Sequence, residues 1–435
     1  MTASGVTALA VEPLRGPLDA TVVVPGSKSF TNRALVVAAL AEGRSTLEGA
    51  LLADDTTSMV QALVRLGIPV GHDVEAATMV VDGVGGAVPP GPAELDARLA
   101  GTTARFLLPL LALGQGRYRL DGSPPLRARP MGLLIAALRA LGGVVEEEGE
   151  EGHLPVTVVA HGLDGGSVRI PGDVSSQFVS ALLLSGPAMA RGVGVEVDGD
   201  VVSRPYLDVT TATMGAFGVP VERHGESGLA VAPGTYRACR YRIEPDASAA
   251  SYFFAAAALC GGRVRVPGLG RASVQGDLAF VDVLAAMGAK VRRDEHGTEV
   301  EGTGELAGVD VDLADCSDTA QTLAVVAPFA SSPTRVRGIG FVRRKETDRI
   351  AAVVTELRRC GVEAEELDDG YVVHPGAPRP ARIRTYGDHR MAMSFALLGL
   401  RAPGIEIGDP GVVAKTFPGY FEALAGLRAR SATGG

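Results

Sequence analysis

The stretch Ser29–Gly43, SFTNRALVVAALAEG, opens on polar residues, runs through Ala, Leu and Val, and stops at Gly. It reads as a helix, because small polar residues suit a helix start and Gly suits the position just past the end. Its decisive property is that it recurs. Comparable stretches begin at Thr102 (TTARFLLPLLALGQG), Ser175 (SSQFVSALLLSGPA) and Ser248 (SAASYFFAAAALCGG). Two more begin at Thr319 (TAQTLAVVAPFASS) and His389 (HRMAMSFALLGLRAPG). The starts are spaced 70–73 residues apart, so the chain reads as six similar units.

The second half of each unit repeats too. A short β-prone run comes first, as in RSTLEG, RYRLDG, GVEVDG, RVRVPG and RVRGIG. An amphipathic helix follows and ends at Gly67, Gly142, Gly218, Gly288 or Gly361, each placed as a C-cap. Strand-like stretches such as VPVERHG and AKVRRDE come next. Each unit is read as helix, strand, helix, strand, strand, with the last one cut short after FEALAGL. Solenoid repeats run roughly 20–50 residues, so units of this size point elsewhere. The expected fold class is α/β (α+β), with two similar domains of three units each. Residues 25–243 would form one domain. Residues 1–24 and 244–435 would form the other, so that the first strand belongs with the C-terminal half.

Composition narrows the function. The 435 residues carry 41 Lys and Arg against 50 Asp and Glu, a formal charge of −9. This balance argues against a nucleic-acid or membrane-surface partner, both of which demand a basic footprint. Cys239, Cys260, Cys316 and Cys360 are too widely spaced for a zinc or redox motif. No apolar run has the length of a membrane span, and the first residues lack the apolar core of a signal peptide. A cytoplasmic location is the expectation. The glycine patterns that cradle nucleotides are absent, as is the GxSxG elbow.

The turns preceding each first helix carry the chemistry. They read PGSKS, LAGT, GDVSSQ, EPDAS, DCSDT and YGDHR. Ser, Thr and Asp in such places are ordinarily N-caps. A helix N-terminus also presents free N–H groups and partial positive charge, so it binds anions. Cations cluster at the same points. Lys28 precedes the first such helix and Arg33 lies on its first turns, and Arg390 lies in the last. Arg129, Lys345 with Arg349, and Lys415 precede second helices of their units. Placing Lys and Arg at equivalent turns of an acidic chain suggests a substrate with several anionic groups. Asp318, Glu346 and Asp388 are interleaved with these bases. Glu346 and Lys28 read as proton-transfer candidates, and Asp388 as a cap or ion-pair partner.

Taken in order, PGSKSFTNRALVVAALA, LAGTTARF, DVSSQF, SRPYLDVT, RRKETDRI, YGDHRMAM and AKTFPGYF resemble the 5-enolpyruvylshikimate-3-phosphate synthase family of enolpyruvyl transferases. The resemblance runs from about Leu9 to Leu427. It implies two domains, each of three βαβαββ repeats, with the active site in the cleft between them. It implies transfer of the enolpyruvyl group of phosphoenolpyruvate to the 5-hydroxyl of shikimate 3-phosphate, the glyphosate-sensitive step of the route to chorismate and the aromatic amino acids. By matching position, Lys28, Ser29, Arg33, Ser175, Ser176, Gln177, Ser203, Tyr206, Asp318 and Lys345 would hold shikimate 3-phosphate. Lys28, Gly101, Arg129, Gln177, Arg349, Arg390 and Lys415 would hold phosphoenolpyruvate. Asp318 and Glu346, helped by Lys28, would move protons. The resemblance implies neither a metal nor an organic cofactor, no macromolecular partner, and a monomer.

The sequence departs from the family pattern at three points. Leu99 and Phe341 stand where members commonly have Asn, and Phe106 where many have Pro. Other readings are a variant transferase acting on a related cyclitol, the related transferase acting on UDP-N-acetylglucosamine, or a non-enzymatic anion-binding protein. The UDP-N-acetylglucosamine enzymes lack KETDR and use a loop Cys, and no Cys lies in the Arg129 loop here. An anion sensor should have lost the proton-transfer groups, and all are present.

Overall fold

The structure, a computed structural model, describes residues 8–172, 175–199, 203–225 and 227–431. Asp173 and Val174 of the GDVSSQ turn lie outside the described residues. The chain divides into two compact units. One is Gly26–Glu244. The other combines the segment ending at Pro25 with the chain from Pro245 onward.

The repeat reads most clearly in the middle of the first unit. Strand Ala93–Asp96 leads into helix Gly101–Ala112 and strand Gln115–Asp121. Helix Gly132–Ala140 and the strands Val144–Glu147 and Val156–His161 complete it. The opening strand pairs in parallel with Gln115–Asp121, and the final two add antiparallel. The same strand order recurs in four other four-stranded sheets among the described residues.

These opening strands are elements that periodicity did not reveal. They run three to six residues, too short to impose a pattern of their own, and one of them is Arg240–Arg242. Two are exchanged in chain order. Leu18–Thr21 precedes the first inner helix yet pairs with Gly262–Pro267. Arg240–Arg242 precedes helix Ala247–Cys260 yet pairs with Glu42–Glu48. The exchange arises because the chain leaves one unit at Pro25 and returns at Pro245, so each unit closes its own sheets. The shortened last repeat is completed differently. Ala8–Val11 adds antiparallel to Ile405–Gly408, which itself pairs in parallel with Ala381–Ile383.

Each unit keeps three first helices inside. Ala34–Ala41 are fully or almost fully buried, and every residue from Ala247 to Leu259 is buried. A helix apolar on all sides belongs in a core, and small Ala side chains let such helices approach closely. The apolar residues gather into two separate cores, one in each unit. The second helices are amphipathic where they show a solvent face, as in Asp54–Arg65 and Arg349–Arg359. Their terminal glycines adopt left-handed φ, +85° at Gly67 and +75° at Gly361, a conformation that L side chains rarely adopt. No helix among the described residues is long and apolar enough to cross a membrane.

Candidate active site

In the unit Gly26–Glu244, side-chain bonds tie together the starts of the three inner helices. Lys28 is the first residue of helix Lys28–Leu40, and its Nζ lies 3.2 Å from Asp55 Oδ2 on the first turn of the neighbouring helix. Thr103, on the second inner helix, donates to the Asp55 carbonyl at 3.2 Å. Arg105, one turn into that helix, donates from Nη1 to Gln177 Oε1 of the third at 2.7 Å. Arg33 closes the ring by donating to Ser180 Oγ at 3.2 Å. Three positive helix ends with their Lys and Arg side chains thus meet in one cluster, a setting suited to anions.

Gly101 is the first residue of the second inner helix. A Cβ there would stand 3.0 Å from Arg129 Nη1 and 3.8 Å from Arg105 Nη1. The missing side chain lets two guanidiniums approach the helix end. Ser175 caps the third inner helix, accepting from the Gln177 backbone N–H at 3.4 Å, and Ser176 is its first residue. Ser203 has φ of +56°, unusual for a residue with a Cβ. With Arg204 it forms the turn that leads into helix Pro205–Ala216, which carries Tyr206.

Arg33, which the resemblance assigns to shikimate 3-phosphate, is held by groups of the protein itself in this structure. It is 1% exposed and donates to Thr210 Oγ1 at 2.7 Å, Ser29 O at 2.9 Å, Ser180 Oγ at 3.2 Å and Tyr206 O at 3.2 Å. Its guanidinium carbon lies 5.2 Å from the centre of the Phe106 ring and 5.9 Å from that of Tyr206. Burial lowers its pKa to about 10, with Tyr206 and Tyr241 pulling partly back. In this structure Arg33 braces Ser29 and Tyr206. Phe106, at the third departure from the family pattern, forms one wall of its enclosure.

The other unit gathers Asp318, Lys345, Glu346, Arg349, Arg390 and Lys415. Asp318 is the hub. Its Oδ1 accepts from Lys345 Nζ at 3.2 Å and Arg349 Nη1 at 2.9 Å, and its Oδ2 accepts from Arg390 Nη2 at 2.7 Å. Glu346 Oε2 accepts from Arg349 Nη2 at 2.8 Å, and its Oε1 lies 3.8 Å from Lys415 Nζ. Asp388 accepts from Arg349 Nε at 2.8 Å and caps its own helix through the Arg390 N–H at 2.8 Å. Its reading as a cap and ion-pair partner therefore matches the geometry.

These cations are buried: Arg349 is 3%, Arg390 6% and Lys415 8% exposed. Burial works against the charged form of Arg349, but Asp388, Glu346 and Asp318 outweigh it and raise its pKa above the ordinary value. At Lys345 burial dominates and lowers the ammonium pKa, against the pull of Asp318. The Phe341 ring centre lies 5.7 Å from Lys345 Nζ, a cation–π contact where the family pattern has an amide. Leu99, the other departure, is exposed.

Three functional candidates were not singled out from the sequence. Asp55 fixes Lys28, and Arg105 bonds Gln177 beside Gly101. Asp277, buried at 6% exposure, lies behind Arg390. The recurrence of cations at helix starts would have found Arg105, which sits in its helix much as Arg33 does in the first. Among the described residues no group of His, Cys, Asp and Glu is arranged to hold a metal.

Comparison with known proteins gives a consistent picture. The family model for EPSP synthase (3-phosphoshikimate 1-carboxyvinyltransferase) matches residues 14–424. A 3-phosphoshikimate 1-carboxyvinyltransferase of Nostoc punctiforme is 49% identical over 412 residues, covering 94% of this chain and 97% of its own. One from Methanosphaerula palustris is 43% identical over 417 residues, again covering 94% and 97%. Among solved structures, EPSP synthase from Acinetobacter baumannii matches with a TM-score of 0.82 at 25% identity, over 96% of this chain and 97% of its own. The enolpyruvyl transferase NikO from Streptomyces tendae matches at 0.77 over 97% of each chain, and at 19% identity it speaks for the fold alone.

Proposed function

The chain belongs to the EPSP synthase family, and on that premise we propose that it transfers the enolpyruvyl group of phosphoenolpyruvate to the 5-hydroxyl of shikimate 3-phosphate, releasing phosphate. It is a 3-phosphoshikimate 1-carboxyvinyltransferase of aromatic amino-acid biosynthesis, acting on small molecules. We further assign it to the cytoplasm, as a monomer. The observation that carries the reading is the Asp318–Glu346 cluster, in which two carboxylates lie among four cations.

The reaction asks for such a pairing. Both substrates carry phosphate and carboxylate groups, so cations must hold them. A bond forms between O5 of the shikimate ring and C2 of phosphoenolpyruvate, while C3 gains a proton. Loss of phosphate and of a C3 proton from the tetrahedral intermediate then restores the double bond. Asp318 takes the hydroxyl proton, and Glu346 and Lys28 exchange the proton at C3. Both oxygens of Asp318 already accept bonds from cations. Arg390, Arg349, Lys415 and Arg129 are assigned to phosphoenolpyruvate. Ser175, Ser176, Gln177, Ser203, Tyr206 and Lys345 are assigned to shikimate 3-phosphate, with Lys28 and Ser29. Arg33 supports that set by bracing Ser29 and Tyr206.

The test is phosphate release on mixing the protein with both substrates. Release that requires each substrate supports the proposal. Release with another cyclitol phosphate, and none with shikimate 3-phosphate, would turn the reading to a variant acceptor.

A further inference from the structure

One buried carboxylate beside the Asp318 cluster has no part in the proton transfers or in holding either substrate. Asp277 lies in the turn Gly276–Ala279, which follows Gln275 and packs against helix Ala247–Cys260 and the turn Ala314–Thr319. Gln275 anchors this turn. Its Oε1 accepts from the Ala247 N–H at 3.1 Å, and its Nε2 donates to Pro245 O at 2.8 Å. Ser248, on the first turn of helix Ala247–Cys260, donates its hydroxyl to Asp277 Oδ2. Arg390 Nη2 in turn approaches Ser248 Oγ at 3.4 Å and Asp318 Oδ2 at 2.7 Å. A continuous line runs from Asp277 through Ser248 to Arg390 and Asp318, joining elements from all three repeats of the unit.

We propose that Asp277 is a positioning residue: acting through the Ser248 hydroxyl, it fixes the Arg390 guanidinium in the orientation that receives phosphoenolpyruvate. The inference rests on the proposed transferase function. The chemistry of the line is directional. Arg390 can only donate, so Ser248 must turn a lone pair toward it. The single Ser248 proton must then point elsewhere, and ionised Asp277 is the acceptor that takes it. A protonated Asp277 is neutral and accepts the serine proton more weakly than the carboxylate does. The Ser248 hydroxyl is then held less firmly, and the hold on Arg390 loosens.

The groups facing Asp277 set when this happens. Ser248 and Asp246 face it from helix Ala247–Cys260, Cys316 and Asp318 from the neighbouring turn, and Arg390 from the last inner helix. Burial first, and then the charge of Asp318, raises its pKa to about 6 against the pull of Arg390 and Ser248. Binding of phosphoenolpyruvate should therefore weaken as pH falls through that value.

The experiment is steady-state kinetics on wild type, Asp277→Asn, Ser248→Ala, the double variant and Ser248→Thr, with melting temperatures alongside. Loss of a charge-linked hydrogen bond predicts a rise of about tenfold in KM for phosphoenolpyruvate in each single variant, with kcat and KM for shikimate 3-phosphate changed far less. The double variant should be no worse than either single one, because one line is cut once or twice. Ser248→Thr should retain wild-type KM. The acid limb of kcat/KM for phosphoenolpyruvate near pH 6 should be lost in Asp277→Asn. Additive effects, or lowered melting temperatures with KM unchanged, would overturn the proposal. Wild type that releases no phosphate from the two substrates overturns the functional reading and this inference with it. If wild type is active and Arg390→Lys raises KM for phosphoenolpyruvate while Asp277→Asn does not, the inference alone falls.

Discussion

Replacing Gly101 by Ala adds one methyl at the start of an inner helix, and the atoms around that methyl decide whether the fold or the ligand bears the cost. The new Cβ would meet Arg129 Nη1 at 3.0 Å, with Arg105 Nη1 and Leu126 Cδ1 both at 3.8 Å. A separation of 3.0 Å is tighter than ordinary contact, so the Arg129 guanidinium must withdraw by a few tenths of an ångström. It is the far end of a flexible side chain and can do so. Gly101 does not hold a left-handed φ, so the backbone accepts Ala. The fold should be unharmed or stabilised by about 0.4–1 kcal/mol through the reduced freedom of the unfolded chain. The cost falls on the ligand. A charged hydrogen bond contributes about 1.5–3 kcal/mol, and displacing Arg129 without removing it should forfeit roughly half. That corresponds to a rise of about 3- to 10-fold in KM for phosphoenolpyruvate, since 1.4 kcal/mol is about a factor of ten. Glyphosate, a longer competitor with less slack, should lose more affinity than the substrate, and KM for shikimate 3-phosphate should barely move. The assay is steady-state kinetics with each ligand varied in turn, with a melting curve on the same samples. A rise confined to shikimate 3-phosphate would place Gly101 in the wrong subsite. An unchanged KM for phosphoenolpyruvate would show that Arg129 does not hold it.

Asp318→Asn should lower kcat on the order of 10²–10⁴-fold if the carboxylate is the base. Because it also releases Arg349 and Arg390, KM for phosphoenolpyruvate should change with it. Near-normal turnover would reduce Asp318 to a support for those cations. Arg33→Lys keeps the charge but not the fork that reaches Thr210, Ser180, Ser29 and Tyr206. It should destabilise the fold by about 2–4 kcal/mol in urea melts, and a variant as stable as wild type would show the bracing to be idle. Asp277→Asn should raise the melting temperature near pH 8 while impairing phosphoenolpyruvate binding. The folded-state pKa of about 6 exceeds the usual carboxylate value of 3.8, so this carboxyl's contribution is fully present below pH 3.8 and is lost as pH rises through 6. The advantage of Asn should therefore fade on acidification toward pH 4. A gain that grew on acidification would refute the direction of the shift.

Local chemistry was enough to make the repeat legible. Helix, turn and C-cap are written into neighbouring residues, so the six starts and the glycines at 67, 142, 218, 288 and 361 could be located from the sequence. All five glycines adopt left-handed φ in the structure. The caps at Ser175, Asp246 and Asp388 also reflect residue type, because each bonds an N–H two or three residues ahead. Charged residues at equivalent turns marked Asp318, Glu346 and Arg349 as one chemical group, and the structure brings their side chains into contact.

What the sequence could not decide is which turn meets which. The opening strands run three to six residues, and their partners lie on distant segments: Leu18–Thr21 beside Gly262–Pro267, Arg240–Arg242 beside Glu42–Glu48. Nothing local to Arg33 shows that Ser180 and Thr210, 147 and 177 residues later, accept its hydrogen bonds. Asp55, Arg105 and Asp277 carry no signature of their own. Each acquires a role because tertiary packing brings a charge within reach of Lys28, Gln177 or Ser248. A hydrogen bond depends on a separation of about 3 Å, and the separation between side chains a hundred residues apart is set by the packing of the inner helices, not by any local pattern.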